Sequence, residues 1–245
     1  MSNVPLIGLS RQIALQRQMD VVANNLANMN TTGFKSEQLL FQEYLMPVAR
    51  DRSFPLLDQK ISFVNDWATV HDLSPGTIVD TGSPLDVALR GEGFLVVQTA
   101  AGERYTKAGS LGISRDGTLV DPGGNPIMGT NGPIQFQPNE TDISIADDGT
   151  ISSSAGLKGT LRLVEFDEPQ MVERFGDNLW TGANPQPAVA TTVVQGAIEK
   201  SNVTGVAEMS QMLEIQRAYQ SVSNLLQKHD EQRRSAIQKL GSLNG

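Results

Sequence analysis

The chain has 245 residues and no cysteine, which removes disulfide frameworks, thiolate metal sites and cysteine nucleophiles together. Histidine is nearly absent: with only His71 and His229, a histidine-rich zinc or iron centre is not expected, and a Ser-His-Asp triad would have to use one of them. No stretch reaches the roughly 18 apolar residues of a membrane span, and the N-terminus lacks a basic region followed by an apolar core. Membrane insertion and a cleaved secretory signal are therefore not expected. Net positive charge is lacking too: the formal charge of -8 disfavours nucleic acid as a partner, because its binders usually show a basic face. There is no G-x-S-x-G elbow and no P-loop. What is present, 39% hydrophobic residues, suffices to bury a real core. These counts point to a protein without enzymatic activity, metal or cofactor.

The absences are also local. All twelve prolines lie at Pro5 or between Pro47 and Pro187, and 19 of the 23 glycines lie between Gly76 and Gly205. Residues 1–35 carry three basic and one acidic group and residues 199–245 carry six and five, which leaves 10 basic against 21 acidic groups in the middle. Two near-neutral ends flank an acidic, turn-rich centre.

The ends have helical periodicity. Leu15, Met19, Val22, Leu26 and Met29 recur at intervals of 4, 3, 4 and 3, and Met212, Ile215, Tyr219, Val222 and Leu226 at 3, 4, 3 and 4. This is the 3.5-residue spacing of a coiled-coil seam. The first helix is expected over 6–29, about 36 Å at about 1.5 Å per residue, and to stop before Thr31-Thr32-Gly33. The second is expected over 206–240, capped by Asn202 or Thr204. Two readings stand for these seams: they pack on the central domain and on each other, or against other copies. Their narrowness and the length of the helices raise the second.

From about Leu85 the pattern becomes short apolar runs: 85–89, 94–98, 118–120, 143–146, 150–152 and 161–166. Asp116-Gly117, Asn131-Gly132 and Asp148-Gly149 punctuate them as turn dipeptides, which describes an antiparallel β domain. The same Asp-Gly pairs account for the carboxylates that a calcium loop or an acid/base pair would need, and the D-x-[DN]-x-[DN]-G order is missing. Arg90-Gly91-Glu92-Gly93-Phe94 has only G-x-G, which reads as a bend entering a strand. Residues 34–84 read as a partly strand-like connector anchored by Leu39, Phe41, Tyr44, Phe63 and Trp67.

The run from Met19 to Lys35, MDVVANNLANMNTTGFK, resembles the N-terminal signature of the bacterial flagellar rod and hook proteins. Gly82-Ser83-Pro84-Leu85-Asp86-Val87-Ala88-Leu89, Gly91-Glu92-Gly93-Phe94, Tyr105-Thr106-Lys107-Ala108-Gly109 and Asp116-Gly117-Thr118-Leu119-Val120 are similar, in that order, to the start of that family's β domain. Ser201-Asn202-Val203, Glu208-Met209 and Glu214-Ile215-Gln216-Arg217-Ala218-Tyr219 resemble its C-terminal helix. Met29 departs from the pattern, because small residues are frequent there.

The resemblance implies an α+β subunit whose long terminal helices pair as a coiled coil, with an extended connector and a central antiparallel all-β domain. The boundaries are 1–33 and 203–245 for the helices of the inner tube, 34–84 for the connector, 85–182 for the β domain and 183–202 for the return connector. It implies a structural role in the rod that crosses the periplasm, proximal in preference to distal. The implied partners are proximal and distal rod subunits, further copies of the chain, and the export apparatus that passes the unfolded chain without a cleaved signal peptide. Asn24, Asn25, Asn28, Thr31, Gly33, Phe34 and Lys35 are the signature residues, with the polar ones expected to set register and Phe34 to anchor the connector. A soluble carbohydrate-binding module or hydrolase with helical ends is the alternative from another class.

Overall fold

The structure, a computed structural model, describes the backbone of residues 4–46 and 61–242 and the side chains of residues 5–40 and 69–239. Phe41, Tyr44, Phe63 and Trp67, expected as anchors, have side chains outside the described residues. The chain divides into two units, one of Met1–Leu26, Glu37–Val70 and Thr204–Gly245, the other of Ala27–Ser36 and His71–Val203.

The first unit holds helix α1 (Val4–Ala27), helix α2 (Gly205–Ser242) and a two-stranded sheet of Glu37–Met46 with Ile61–His71. Pro5 sits in the first turn of α1, where a missing backbone N–H breaks no helical bond. The helix stops at Ala27 because Asn28–Asn30 form a turn, in which the Thr31 N–H donates to the Asn28 carbonyl at 3.0 Å. Met29, the last residue of the seam implied by the spacing, therefore falls two residues beyond the end of the helix and is exposed. In α2 the Glu208 N–H donates to the Thr204 carbonyl at 3.1 Å, the first bond of the helical ladder. Leu15, Val22 and Ile215 are buried together, with Met19, Met212, Ala218, Tyr219 and Val222 packed around them. A Cβ on Gly8 would lie 2.5 Å from Cδ2 of Leu226, so a larger residue there would require the Leu226 side chain to shift.

The second unit is built on a six-stranded antiparallel sheet, in the order Glu173–Gly176, Leu179–Thr181, Gly102–Thr106, Phe94–Thr99, Leu163–Glu165 and Gln186–Pro187. Phe94-Leu95-Val96-Val97 is an unbroken apolar run because its strand is covered on both faces. Phe94 and Val96 join Tyr105, Val164, Phe166, Val172 and Trp180 in one cluster. Leu95 and Val97 join a larger one with Leu119, Ile127, Ile151, Leu161 and Val193. All three turn dipeptides lie at reversals between antiparallel strands. At the first and last, the Gly117 N–H donates to Ser114 at 3.0 Å and the Gly149 N–H to Ala146 at 2.9 Å. The return segment also carries strands, Thr192–Gln195 against Val87–Arg90 and Ala197–Glu199 against Ile78–Asp80.

Candidate functional site

Two features beyond the core invite a functional reading: a polar latch around the signature residues, and the apolar residues left outside on the helices.

The latch begins in the strand Ala197–Glu199, where alternation turns Ala197 and Glu199 to the same buried side. A carboxylate there needs compensation, because an unpaired buried charge costs several kcal/mol. Lys35 supplies it: its Nζ lies 2.6 Å from Glu199 Oε1, with 0% of the lysine and 3% of the glutamate side chain exposed. The same Oε1 accepts the Gly76 N–H at 2.7 Å, and Lys35 Nζ also donates to the Ser74 carbonyl at 2.7 Å. The Glu199 carbonyl accepts the Gly33 N–H at 2.7 Å. Gly33 has φ +68, and a Cβ there would lie 2.4 Å from the Lys107 backbone, so any other residue would be strained and obstructed.

Around this pair the remaining signature residues find specific partners. Phe34, 1% exposed, lies under the Arg174 guanidinium at 4.1 Å from ring centroid to Cζ, and the same guanidinium is 5.6 Å from the Trp180 ring. Asn178 Nδ2 donates to the Thr32 carbonyl at 2.8 Å, and Thr31 Oγ1 donates to Asn28 Oδ1 at 3.1 Å. Asn202, expected as a helix cap, instead accepts the Ser36 N–H at 2.8 Å and donates to the Asp72 carbonyl at 2.8 Å. Lys107 is buried beside this group and donates to the Gly91 and Gly93 carbonyls at 3.3 and 3.1 Å. Burial, reinforced by the positive charge of Lys35, pushes its pKa down to about 8, while Glu199, Glu92 and Glu165 oppose the shift.

Asn25 works in the other unit. It is 2% exposed, and its amide grips the backbone of Glu37, accepting from the N–H at 2.9 Å and donating to the carbonyl at 3.0 Å. This side chain thus imitates a strand partner at the start of Glu37–Met46. Asn24, by contrast, is exposed.

Of the seam residues, Leu15, Met19, Val22, Met212, Ile215, Tyr219 and Val222 come together in one cluster. Leu26 and Leu226 are half-buried. The opposite sides of the helices are apolar as well. Leu6, Leu9 and Ile13 are 58%, 52% and 49% exposed on α1, and Val206, Met209 and Leu213 are 72%, 49% and 54% exposed on α2. Both sets follow i, i+3, i+7, so each forms a single stripe. Exposing such stripes costs solubility unless something covers them.

Sequence reasoning missed Glu199, Lys107, Arg174 and Asn178. The available signal for Glu199 was its inward position in the short alternation Ala197-Ile198-Glu199; Lys107 stood only inside the motif at 105–109, and Arg174 and Asn178 lie far along the chain from Phe34 and Thr32, which they touch. Among the described residues no three His, Asp or Glu side chains gather where a metal could sit, and no helix is long and apolar enough to cross a membrane. Asp121 and Asp148 serve turns, Asp121 Oδ1 accepting the Asn125 N–H at 2.7 Å and Asp148 Oδ1 the Thr150 N–H at 2.9 Å.

A helical seam, a signature latch and a β body are the features of a structural, axial subunit. Three family models cover them in order: flagella basal body rod protein over residues 6–35, the flagellar hook protein FlgE/F/G D1 domain over 88–153, and the flagellar basal body rod FlgEFG protein C-terminal region over 194–239. The chain is 38% identical to the flagellar basal-body rod protein FlgF of Caulobacter vibrioides over 100% of both chains. It is 29% identical to FlgF of Mesorhizobium japonicum, over 96% of this chain and 97% of the relative. Against the rod protein FlgG of Buchnera aphidicola from Acyrthosiphon pisum it is 32% identical, over 94% and 95%. The chain belongs to the flagellar basal-body rod protein family, a family of structural proteins and not of enzymes. Lys35 ends the first matched segment and Glu199 lies in the third, so the latch joins the two.

Replacing Lys35 by methionine leaves Glu199 buried without its cation and should destabilise the chain by about 3–5 kcal/mol. Equilibrium urea unfolding of Lys35→Met, Glu199→Leu and the double variant measures it. The double variant should lose less than the two singles combined, and a Lys35→Met cost below about 1 kcal/mol would remove the latch from the account.

Lys107 leads to a pH dependence. Its folded pKa lies below its ordinary value of 10.5, so between about pH 8 and 10.5 the unfolded chain holds a proton that the folded chain has released. Its contribution therefore makes stability rise with pH across that window. Comparing unfolding free energies at pH 7.5 and 10 isolates it, since Lys107→Met should lack the part of the alkaline change that Lys107 contributes; identical pH trends in both proteins would contradict the assignment.

Proposed function

We propose that this chain is a structural subunit of the proximal flagellar rod, assembling helically through α1 and α2 and transmitting torque from motor to hook. The observation that carries the reading is the doubled apolar character of the helices. One side of each contributes to the buried cluster of Leu15, Val22 and Ile215, while the other leaves Leu6, Leu9 and Ile13, or Val206, Met209 and Leu213, facing water. A lone monomer has no use for the second side. An open helical assembly needs each subunit to present two different complementary surfaces, and the stripes supply apolar area for them.

In this reading α1 and α2 pair as a coiled coil in the inner tube, residues 34–84 form a connector layer, and the acidic β body faces outward. Leu26, Met29 and Leu226 border subunit contacts together with the buried seam. The signature residues Asn24 and Asn28 contribute polar contacts near the end of α1. Neighbours are copies of this chain and other rod subunits in the periplasm, reached by flagellar export without a cleaved signal. Absence of cysteine suits passage of an unfolded chain into an oxidising space. A distal position is the second reading, supported by the 32% identity to FlgG of Buchnera aphidicola; the 38% identity to FlgF of Caulobacter vibrioides, end to end over both chains, favours the proximal one.

Leu213→Asp and Leu9→Asp place a charge on a stripe without touching the buried cluster. Each should abolish swimming in soft agar while the purified protein melts within about 2 °C of wild type, as surface substitutions usually do. Normal motility with both variants would refute assembly through these faces.

A further inference from the structure

Between α1, the start of the strand Glu37–Met46 and the first turns of α2 lies a polar cavity of about 280 Å³. Gln18, Asn25, Glu37, Gln38, Glu208 and Gln211 contribute to its wall, and no lining residue is basic. Glu208 is the unusual member. One carboxylate oxygen, Oε1, receives a 3.4 Å contact from Asn25 Nδ2, whereas Oε2 is buried and has no hydrogen-bond donor. Asn25 offers little more, since its amide is already committed to the backbone of Glu37. Buried acceptors are normally satisfied, and a carboxylate oxygen without a donor marks a place where a donor is due. Desolvation raises the Glu208 pKa, the direction expected for a carboxylate that lacks its cation.

The complementary group is on the same helix. Arg217 is exposed, and among the described residues nothing lies within hydrogen-bond or ion-pair distance of it. Nine residues beyond Glu208, at about 1.5 Å and about 100° each, place it roughly 13.5 Å along the axis and on the opposite side of α2. Arg217 therefore cannot reach the pocket of its own subunit. Arg217 lies instead on the side of the exposed stripe, one turn beyond Leu213. A guanidinium beside an apolar stripe is the composition of an interface anchor, and its planar fork matches a carboxylate.

We propose that Arg217 of one copy enters the Glu208 pocket of the next, a head-to-tail contact that sets the axial offset between neighbouring α2 helices. Donor and acceptor occupy opposite faces of one helix, so the contact is heterologous and propagates from subunit to subunit. The inference rests on the reading of the chain as a self-assembling rod subunit.

The test replaces the chromosomal copy with Glu208→Gln, Arg217→Gln, both together, and the swap of Glu208→Lys with Arg217→Glu, and follows soft-agar expansion and the fraction of cells with complete rods. Each neutralisation should reduce expansion at least twofold. The double neutralisation should be no worse than the poorer single, and the swap should recover at least half of wild-type expansion. Purified Glu208→Gln should melt no lower than wild type, which separates an assembly role from one in folding. Singles that swim like wild type, or a double variant whose loss is the product of the two, overturn the proposal. The stripe variant Leu213→Asp, run alongside, separates the two levels: if it blocks motility while the charge variants do not, only the Arg217 contact fails, and if it too is harmless the assembly reading fails with it.

Discussion

Lys35 and Glu199 meet at 2.6 Å with almost no solvent around either, and each is tolerable there only because the other is present. An apolar pair of similar volume could hold the same two segments with less desolvation. What the ion pair adds is selectivity: Glu199 Oε1 must receive Lys35 Nζ and the Gly76 N–H together, while its backbone carbonyl takes the Gly33 N–H. A slip of one residue in the strand Ala197–Glu199 would turn the carboxylate outward and leave Lys35 buried alone. The chain is thereby held in one register where residues 31–36 enter the β unit, and Phe34, Thr32 and Ser36 take their positions around it. Asn202 extends the restraint by tying Ser36 and Asp72 to the segment that precedes α2.

How much of this was legible in the sequence depended on whether a signal was local. The seam emerged because Leu15, Met19 and Val22, and likewise Met212, Ile215, Tyr219 and Val222, are spaced by the helix itself. The strand at Phe94 was visible as a short apolar run, though not its burial on both faces, and the hairpins as Asp-Gly pairs. Met29 was misplaced because apolar spacing continues for three residues past Leu26, while the backbone has already left the helix at Ala27 for a turn held by Thr31 and Asn28. Asn202 looked like a cap because caps are the commonest use of asparagine before a helix; its amide was claimed by Ser36 and Asp72, more than a hundred residues away. Glu199 was hidden for the same reason, since nothing near residue 35 in the chain announces its partner.

The division of labour between the two units follows from their composition. The β unit hides large apolar side chains from water on both faces of its central sheet and cages the ammonium of Lys107 among backbone carbonyls, although Arg104 Nε and Trp180 Nε1 are buried there without a hydrogen-bond partner. The helical unit leaves apolar stripes at its surface and a buried carboxylate oxygen of Glu208 without a donor. Such a distribution is poor design for a solitary soluble protein and good design for a part that becomes complete on assembly. The net charge of -8 averages over this contrast, because the acidic groups sit mostly in the middle of the chain and the helical ends are nearly neutral.

Electron cryo-microscopy of intact basal bodies, at a resolution that traces side chains, tests the central claim most directly. The account predicts the chain in the proximal rod, with Leu6, Leu9, Ile13, Val206, Met209 and Leu213 buried against neighbouring subunits and the β unit on the outside. A rod in which the β units make the subunit contacts while those six side chains remain in solvent would contradict it.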